Sequence, residues 1–83
     1  MNQREEILTI TQEECAEIIQ SISKIQRFGF NEDNKDRLCE EIGDFMCMFM
    51  LMLENDMIDL NDIEVAINKK REKLKKWSNI ENL

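Results

Sequence analysis

The segment Phe45-Met46-Cys47-Met48-Phe49-Met50-Leu51-Met52-Leu53 constrains the fold more than any other part of this chain. It is apolar at every position, and a helix that is apolar all round has to be buried all round. These nine residues are far short of the about 20 needed to span a bilayer, so protein has to cover them. There is no proline and only two glycines, a composition that favours long uninterrupted helices over a turn-rich β fold. The expectation is all-α: one domain, residues 1–83, folded as an antiparallel helical bundle. Two further helices from 83 residues do not suffice to cover the run, so oligomerisation is expected to complete the bundle.

Three helices follow from the apolar periodicity. The first is expected over about 11–27, with Thr11 as its cap and Glu14 completing a Thr-x-x-Glu capping box. Residues 1–10 form a lead-in. Ile18, Ile22 and Ile25 make an apolar stripe widened by Cys15 and Ile19, and Glu14, Glu17, Ser21 and Lys24 follow beside it. Gly29 suits a helix stop. Asn31–Asn34 is a polar turn into a second helix over about 35–55. A third spans about 61–77, with Ile63, Ala66, Ile67 and Leu74 inward and a basic second half. The last six residues fray.

Composition removes several functions. The net charge of −7 opposes non-specific nucleic-acid binding, which needs a basic surface. Histidine is absent, which excludes Ser-His and Cys-His catalysis and His-containing metal sites. Three cysteines without a CxxC pair or a secretory signal fit a reducing cytoplasmic compartment and serve as small buried hydrophobes. The six methionines are expected to fill core or interface, and Phe28 and Trp77 to pack in the core. No EF-hand loop and no Gly-rich phosphate loop occurs.

Chemistry concentrates in two acidic pairs, Glu14-Cys15-Ala16-Glu17 and Glu41-Ile42-Gly43-Asp44. Residues three apart on a helix share a face, with Cβ atoms about 5–6 Å apart. Acidic pairs also decorate solvated faces and favour a helix N-terminus. Here each pair borders a strongly apolar stripe, and Asp44 is expected near the core. A carboxylate against apolar surroundings must be paired, protonated or metal-bound. Hard divalent cations, Mg²⁺ or Mn²⁺, suit four such oxygen donors.

Glu13-Glu14-x-x-Glu17 followed by Glu40-Glu41-x-x-Asp44 resembles the EExxE…ExxD signature of the MazG-like all-α nucleoside triphosphate pyrophosphohydrolases. Ala16–Gln20, Lys24–Gly29 and Lys70–Ser78 are similar to the compact phage-type members, so the resemblance runs from about Thr11 to Ser78. It implies Mg²⁺ binding by Glu14, Glu17, Glu41 and Asp44, and hydrolysis of a triphosphate to monophosphate and pyrophosphate. Glu17 and Glu41 are the candidate general bases. Asn68-Lys69-Lys70 looks like the family's Asn-x-Lys element. Lys24, Arg27, Lys70 and Lys73 are candidate phosphate clamps, although each also suits a solvated face. Relatives with a longer loop between the acidic helices, or an added terminal helix, differ from this chain. The nucleotide-base pocket is therefore expected to be shallow or completed by a neighbour in a homotetramer, at minimum a homodimer. The wider superfamily includes hydrolases of dUTP, dCTP and phosphoribosyl-ATP, and a non-enzymatic helical interaction module is the competing reading. No membrane or nucleic-acid partner is expected.

Overall fold

Asn2 begins the first helix. Its side chain accepts a hydrogen bond from the Glu5 backbone N–H at 2.8 Å, and its own N–H donates to the Glu5 carboxylate at 3.2 Å. This reciprocal box satisfies two of the donors a helix start leaves unpaired. The computed structural model describes Met1–Leu83 and contains three helices and no strand: α1 (Gln3–Phe28), α2 (Glu32–Glu54) and α3 (Leu60–Trp77). The fold is all-α as expected. Helix α1, however, starts at Gln3 rather than at Thr11. Thr11 is no cap; its hydroxyl donates back to the Ile7 carbonyl at 2.7 Å, inside the helix.

Gly29 ends α1 with φ 98°, and its N–H closes on the Ile25 carbonyl at 2.8 Å. A positive φ is open to glycine and strained for other residues. The expected polar turn is shorter than the sequence suggests, because Glu32, Asp33 and Asn34 form the first turn of α2. Asn31 caps that turn by accepting from the Asn34 N–H at 2.9 Å, while the Asn34 side chain donates to the Gly29 carbonyl at 2.8 Å. At the far end Gln3 Nε2 donates to Asn55 Oδ1 at 2.8 Å. The α1–α2 hairpin is thus antiparallel and fastened at both ends.

Buried and half-buried positions recur in steps of four and three: Ile7, Thr11, Glu14, Ile18, Ser21 and Ile25 on α1, and Asn34, Leu38, Glu41, Phe45, Met48 and Met52 on α2 with Asn55 at its cap, while Thr9, Ile10, Phe49, Leu51 and Leu53 are half-buried beside them. This is the spacing of a coiled-coil seam. Ile7, Ser21 and Met48 are its only buried members. Ser21, 3 % exposed, replaces the expected Ile22 in the stripe. Its small side chain admits close approach of α2, and Ile19, Ile22 and Cys15 turn outward.

Helix α2 closes with two bonds, Asp56 N–H to the Leu53 carbonyl at 3.1 Å and Met57 N–H to the Met52 carbonyl at 2.9 Å. Asp56 holds φ 54°, so this is a Schellman cap with aspartate in the place glycine usually takes. Helix α3 starts from Asp59, whose side chain accepts from the Asp62 N–H at 3.1 Å. It ends where Ser78 bonds back to the Leu74 carbonyl. Residues 78–83 are not helical.

Helix α3 makes only marginal contact with the hairpin. Helical domains normally cover an apolar face with a further packed helix. Here α3 does not pack across the α1–α2 hairpin, and several expected core residues are consequently exposed. Met46, Met50, Phe28, all three cysteines and Trp77, the last at 83 %, face solvent because no element covers them.

Candidate functional site

The acidic residues enter the seam by helical periodicity. Glu14 lies one turn from Thr11 and Ile18, and Glu41 one turn from Leu38 and Phe45, so the antiparallel pairing sets one against the other halfway along the hairpin. Asp44 follows Glu41 by one turn on the flank. One carboxylate oxygen from each of Glu14, Glu41 and Asp44 lies within 4.8 Å of the others. Glu14 and Glu41 are half-buried; Asp44, expected near the core, is exposed. It stands at the edge of the seam, where α1 offers nothing to cover it.

Nothing positive compensates this cluster. The chain's one ion pair, Lys75 with Glu72 at 2.8 Å, lies on α3. The Glu14 carboxyl is pushed above its ordinary value, first by desolvation in the seam and then by the negative charges of Asp44, Glu41, Glu17 and Glu13. Three crowded carboxylate oxygens with no internal counter-charge suit a small divalent cation, which prefers oxygen donors and retains waters for its remaining positions. The donor set therefore fits Mg²⁺ or Mn²⁺.

The fourth acid of the sequence pattern is separate. Glu17 is exposed and lies outside the three-oxygen cluster, although its charge is felt at Glu14. A helix turns about 100° per residue, so Glu14 and Glu17 share a side without sharing the seam.

The expected phosphate clamps are not gathered around the acids within the chain. Lys24 lies ten residues beyond Glu14 on α1, about 15 Å along the axis at 1.5 Å per residue. Arg27 sits over the ring of the neighbouring Phe28, 5.0 Å from its centroid. Asn68 and Lys73, with Val65, Lys69 and Glu72, line a shallow surface of α3. Lys70 is exposed on the same helix.

One feature was not anticipated from sequence. A groove of about 400 Å³ lies beside the seam, lined by Gln3, Glu6, Ile7, Ile10, Met48 and Leu51. Ile10 precedes Glu14 by one turn and Met48 follows Asp44 by one turn, so the groove adjoins the acids. The start of α1 at Asn2 creates half of it; the signal was the Asn2-x-x-Glu5 capping pattern.

The family model of the MazG nucleotide pyrophosphohydrolase domain matches residues 2–78. No curated protein and no solved structure matches the chain. No helix is long and apolar enough to cross a membrane.

Proposed function

The chain belongs to the MazG nucleotide pyrophosphohydrolase family, and from that premise we propose that it cleaves a nucleoside triphosphate to the monophosphate and pyrophosphate with Mg²⁺ or Mn²⁺ held by Glu14, Glu41 and Asp44. The observation that carries this reading is the convergence of those three carboxylates, within 4.8 Å and without a cation partner. When bound, such an ion supplies Lewis acidity toward phosphoryl oxygens and lowers the pKa of a nearby water.

The chain's own residues account for the remaining roles. Glu17, exposed and uncommitted to the cluster, accepts the proton of the attacking water; Glu41 holds the ion rather than the proton. Attack at the α-phosphorus forms the new P–O bond, and the bond to the bridging oxygen breaks as pyrophosphate leaves. Positive charge and hydrogen bonds to the phosphates are assigned to Asn68, Lys70 and Lys73 on α3, because Lys24 and Arg27 lie about 15 Å or more along α1 from Glu14 and do not reach a triphosphate held at the acids of the same chain. A homotetramer, or at least a homodimer, belongs to the same reading and is supported by the large apolar side chains left exposed, Met46, Met50, Ile67 and Trp77 among them. Three free thiols support a cytoplasmic setting.

The test is pyrophosphate release from each ribo- and deoxynucleoside triphosphate, with and without Mg²⁺. Release confined to the metal-containing reactions is expected; silence across the whole panel would sink the hydrolase reading in favour of a helical interaction module.

A further inference from the structure

The groove beside the acid cluster combines an apolar floor with a polar rim. Ile7, Ile10, Met48 and Leu51 supply the floor, and Gln3 and Glu6 stand on the α1 side. Its volume of about 400 Å³ and its apolar walls with two polar groups are those of a small-molecule pocket. Hydrogen bonding fixes what the rim offers. The Leu51 carbonyl can only accept, so the Asn55 side chain presents Nδ2 to it at 2.8 Å. Asn55 Oδ1 is thereby turned toward Gln3 and accepts from its Nε2 at 2.8 Å. Gln3 Oε1, at the other side of that amide, is left free to accept. Glu6 forms no ion pair, and a carboxylate accepts without donating. The free oxygens of the rim are therefore acceptors throughout.

Along the hairpin the groove begins where the acids end. Ile10 precedes Glu14 by four residues and Met48 follows Asp44 by four, about 6 Å along each axis at 1.5 Å per residue. Glu6 lies eight residues from Glu14, about 12 Å. A nucleotide whose phosphates lie at the acids carries its base one sugar further on. The sugar covers the first of these intervals and the base ring the second. We infer that the groove holds the base of the substrate nucleotide, and that Glu6, with Gln3, selects a base presenting two adjacent N–H donors, which is guanine. The inference rests on the proposed triphosphate chemistry and adds a base preference to it.

Guanine offers N1–H and an N2 amino hydrogen side by side, and a carboxylate receives such a pair in two parallel charge-assisted bonds. Uracil and thymine offer a single N–H between two carbonyls, whose oxygens would face the oxygens of the rim. Adenine and cytosine offer an amino group beside an unprotonated ring nitrogen, which sets one carboxylate oxygen against a lone pair. Hydrogen bonding therefore ranks guanine first, adenine and cytosine next, and uracil and thymine last. Burial against Ile7, Ile10, Met48 and Leu51 favours every base alike. A site built to receive donors rejects a ligand that lacks them, because its polar atoms lose water without replacement. Other occupants match less of the groove. An apolar peptide segment would fill the floor and leave the rim oxygens unmatched, and an anion would meet Glu6 as well as the acid cluster.

The test separates base selection from turnover. With Mg²⁺ present, kcat/KM for pyrophosphate release is measured on dGTP, dATP, dCTP and dUTP for the wild type and for Glu6→Gln, whose amide replaces one acceptor by a donor. Circular dichroism checks that the variant keeps its helices. In parallel, dGMP and dUMP are titrated with Mg²⁺ into wild-type protein labelled at its isoleucine and methionine methyls. The expected result is a preference for dGTP over dUTP of about tenfold or more, which falls toward one in Glu6→Gln. Ile10 and Met48 methyl signals should shift with dGMP at concentrations where dUMP leaves them unmoved. Turnover indifferent to the base, an unchanged ratio in Glu6→Gln, or dGMP shifts that bypass Ile10 and Met48 would each overturn the base assignment and leave the hydrolase reading standing. Silence from all four triphosphates would overturn the hydrolase reading instead, and the dGMP titration would then decide the groove by itself.

Discussion

Two regions of this molecule place a charge in the middle of a largely apolar heptad row. In the α1–α2 hairpin the charges are Glu14 and Glu41, which meet each other across a formed seam, where desolvation first, and then the charges of Asp44 and Glu41, push the Glu14 carboxyl above its ordinary range. On α3 the charge is Lys70, exposed on a row that its own chain leaves uncovered. The same local pattern thus produces a closed carboxylate cluster in one place and an unmatched face in the other. The difference is topological. A three-residue connection forces α1 and α2 together, whereas the capped connector after Glu54 directs α3 away. Anion convergence is intramolecular; the basic half of α3 stands apart from it.

That contrast breaks most decisively at Glu41. Glu41→Gln is expected to lower turnover on the order of 100-fold or more with helicity unchanged, measured as pyrophosphate release. Glu17→Gln should keep Mg²⁺ binding by calorimetry while losing the proton-accepting limb of the pH–rate profile. Equal loss of metal binding in both variants would move Glu17 into the cluster. A smaller effect is expected on the basic side. Lys70→Ala should reduce kcat/KM by about 10- to 100-fold, the worth of one charge-assisted hydrogen bond. Its Mg²⁺ affinity should stay unchanged.

A further prediction concerns stability without metal. Glu14 titrates above 4.5 in the folded chain, so between that value and its raised pKa the folded state binds more protons than the unfolded state. Stability is then fully present below 4.5 and falls as pH rises through the folded pKa. Glu14→Gln should raise the Tm of metal-free protein at pH 7 and leave it unchanged at pH 4. Added Mg²⁺ should stabilise the wild type by about 2.7 kcal/mol at 100 times its Kd, and the glutamine variant less. The smallest effect is expected at Gly43, inside α2, where an added Cβ would meet nothing within 4 Å. Gly43→Ala should stabilise by about 0.5–1 kcal/mol in chemical denaturation, and a loss instead would mean that this face is covered in solution.

The sequence revealed the acid site where its cause is local. Spacing of three puts Glu14 near Glu17 and Glu41 near Asp44 whatever else the chain does. Which acid enters the seam was not legible, because that depends on how α1 is rotated about its axis. Ile18, Ile19, Ile22 and Ile25 offer two adjacent apolar sides, and the small Ser21 decides between them by admitting α2. The start of α1 was obscured by Thr9-Ile10-Thr11, a β-branched run that weakens a helix signal, and by Thr11-x-x-Glu14 imitating the capping box that Asn2 and Glu5 form. The exposure of Trp77, Phe28 and the cysteines was illegible for another reason. Apolar character shows that a residue is to be covered, and carries no information on which chain covers it.

The tight turn at Gly29–Asn31 also sets a timetable. Contacts between α1 and α2 close through neighbouring sequence, and such local closure proceeds on fast folding timescales. Glu14 and Glu41 are therefore brought together in a first-order step whose rate is independent of protein concentration. The cluster needs no second copy in order to form, and a refolding experiment followed at several concentrations should show hairpin closure at one concentration-independent rate.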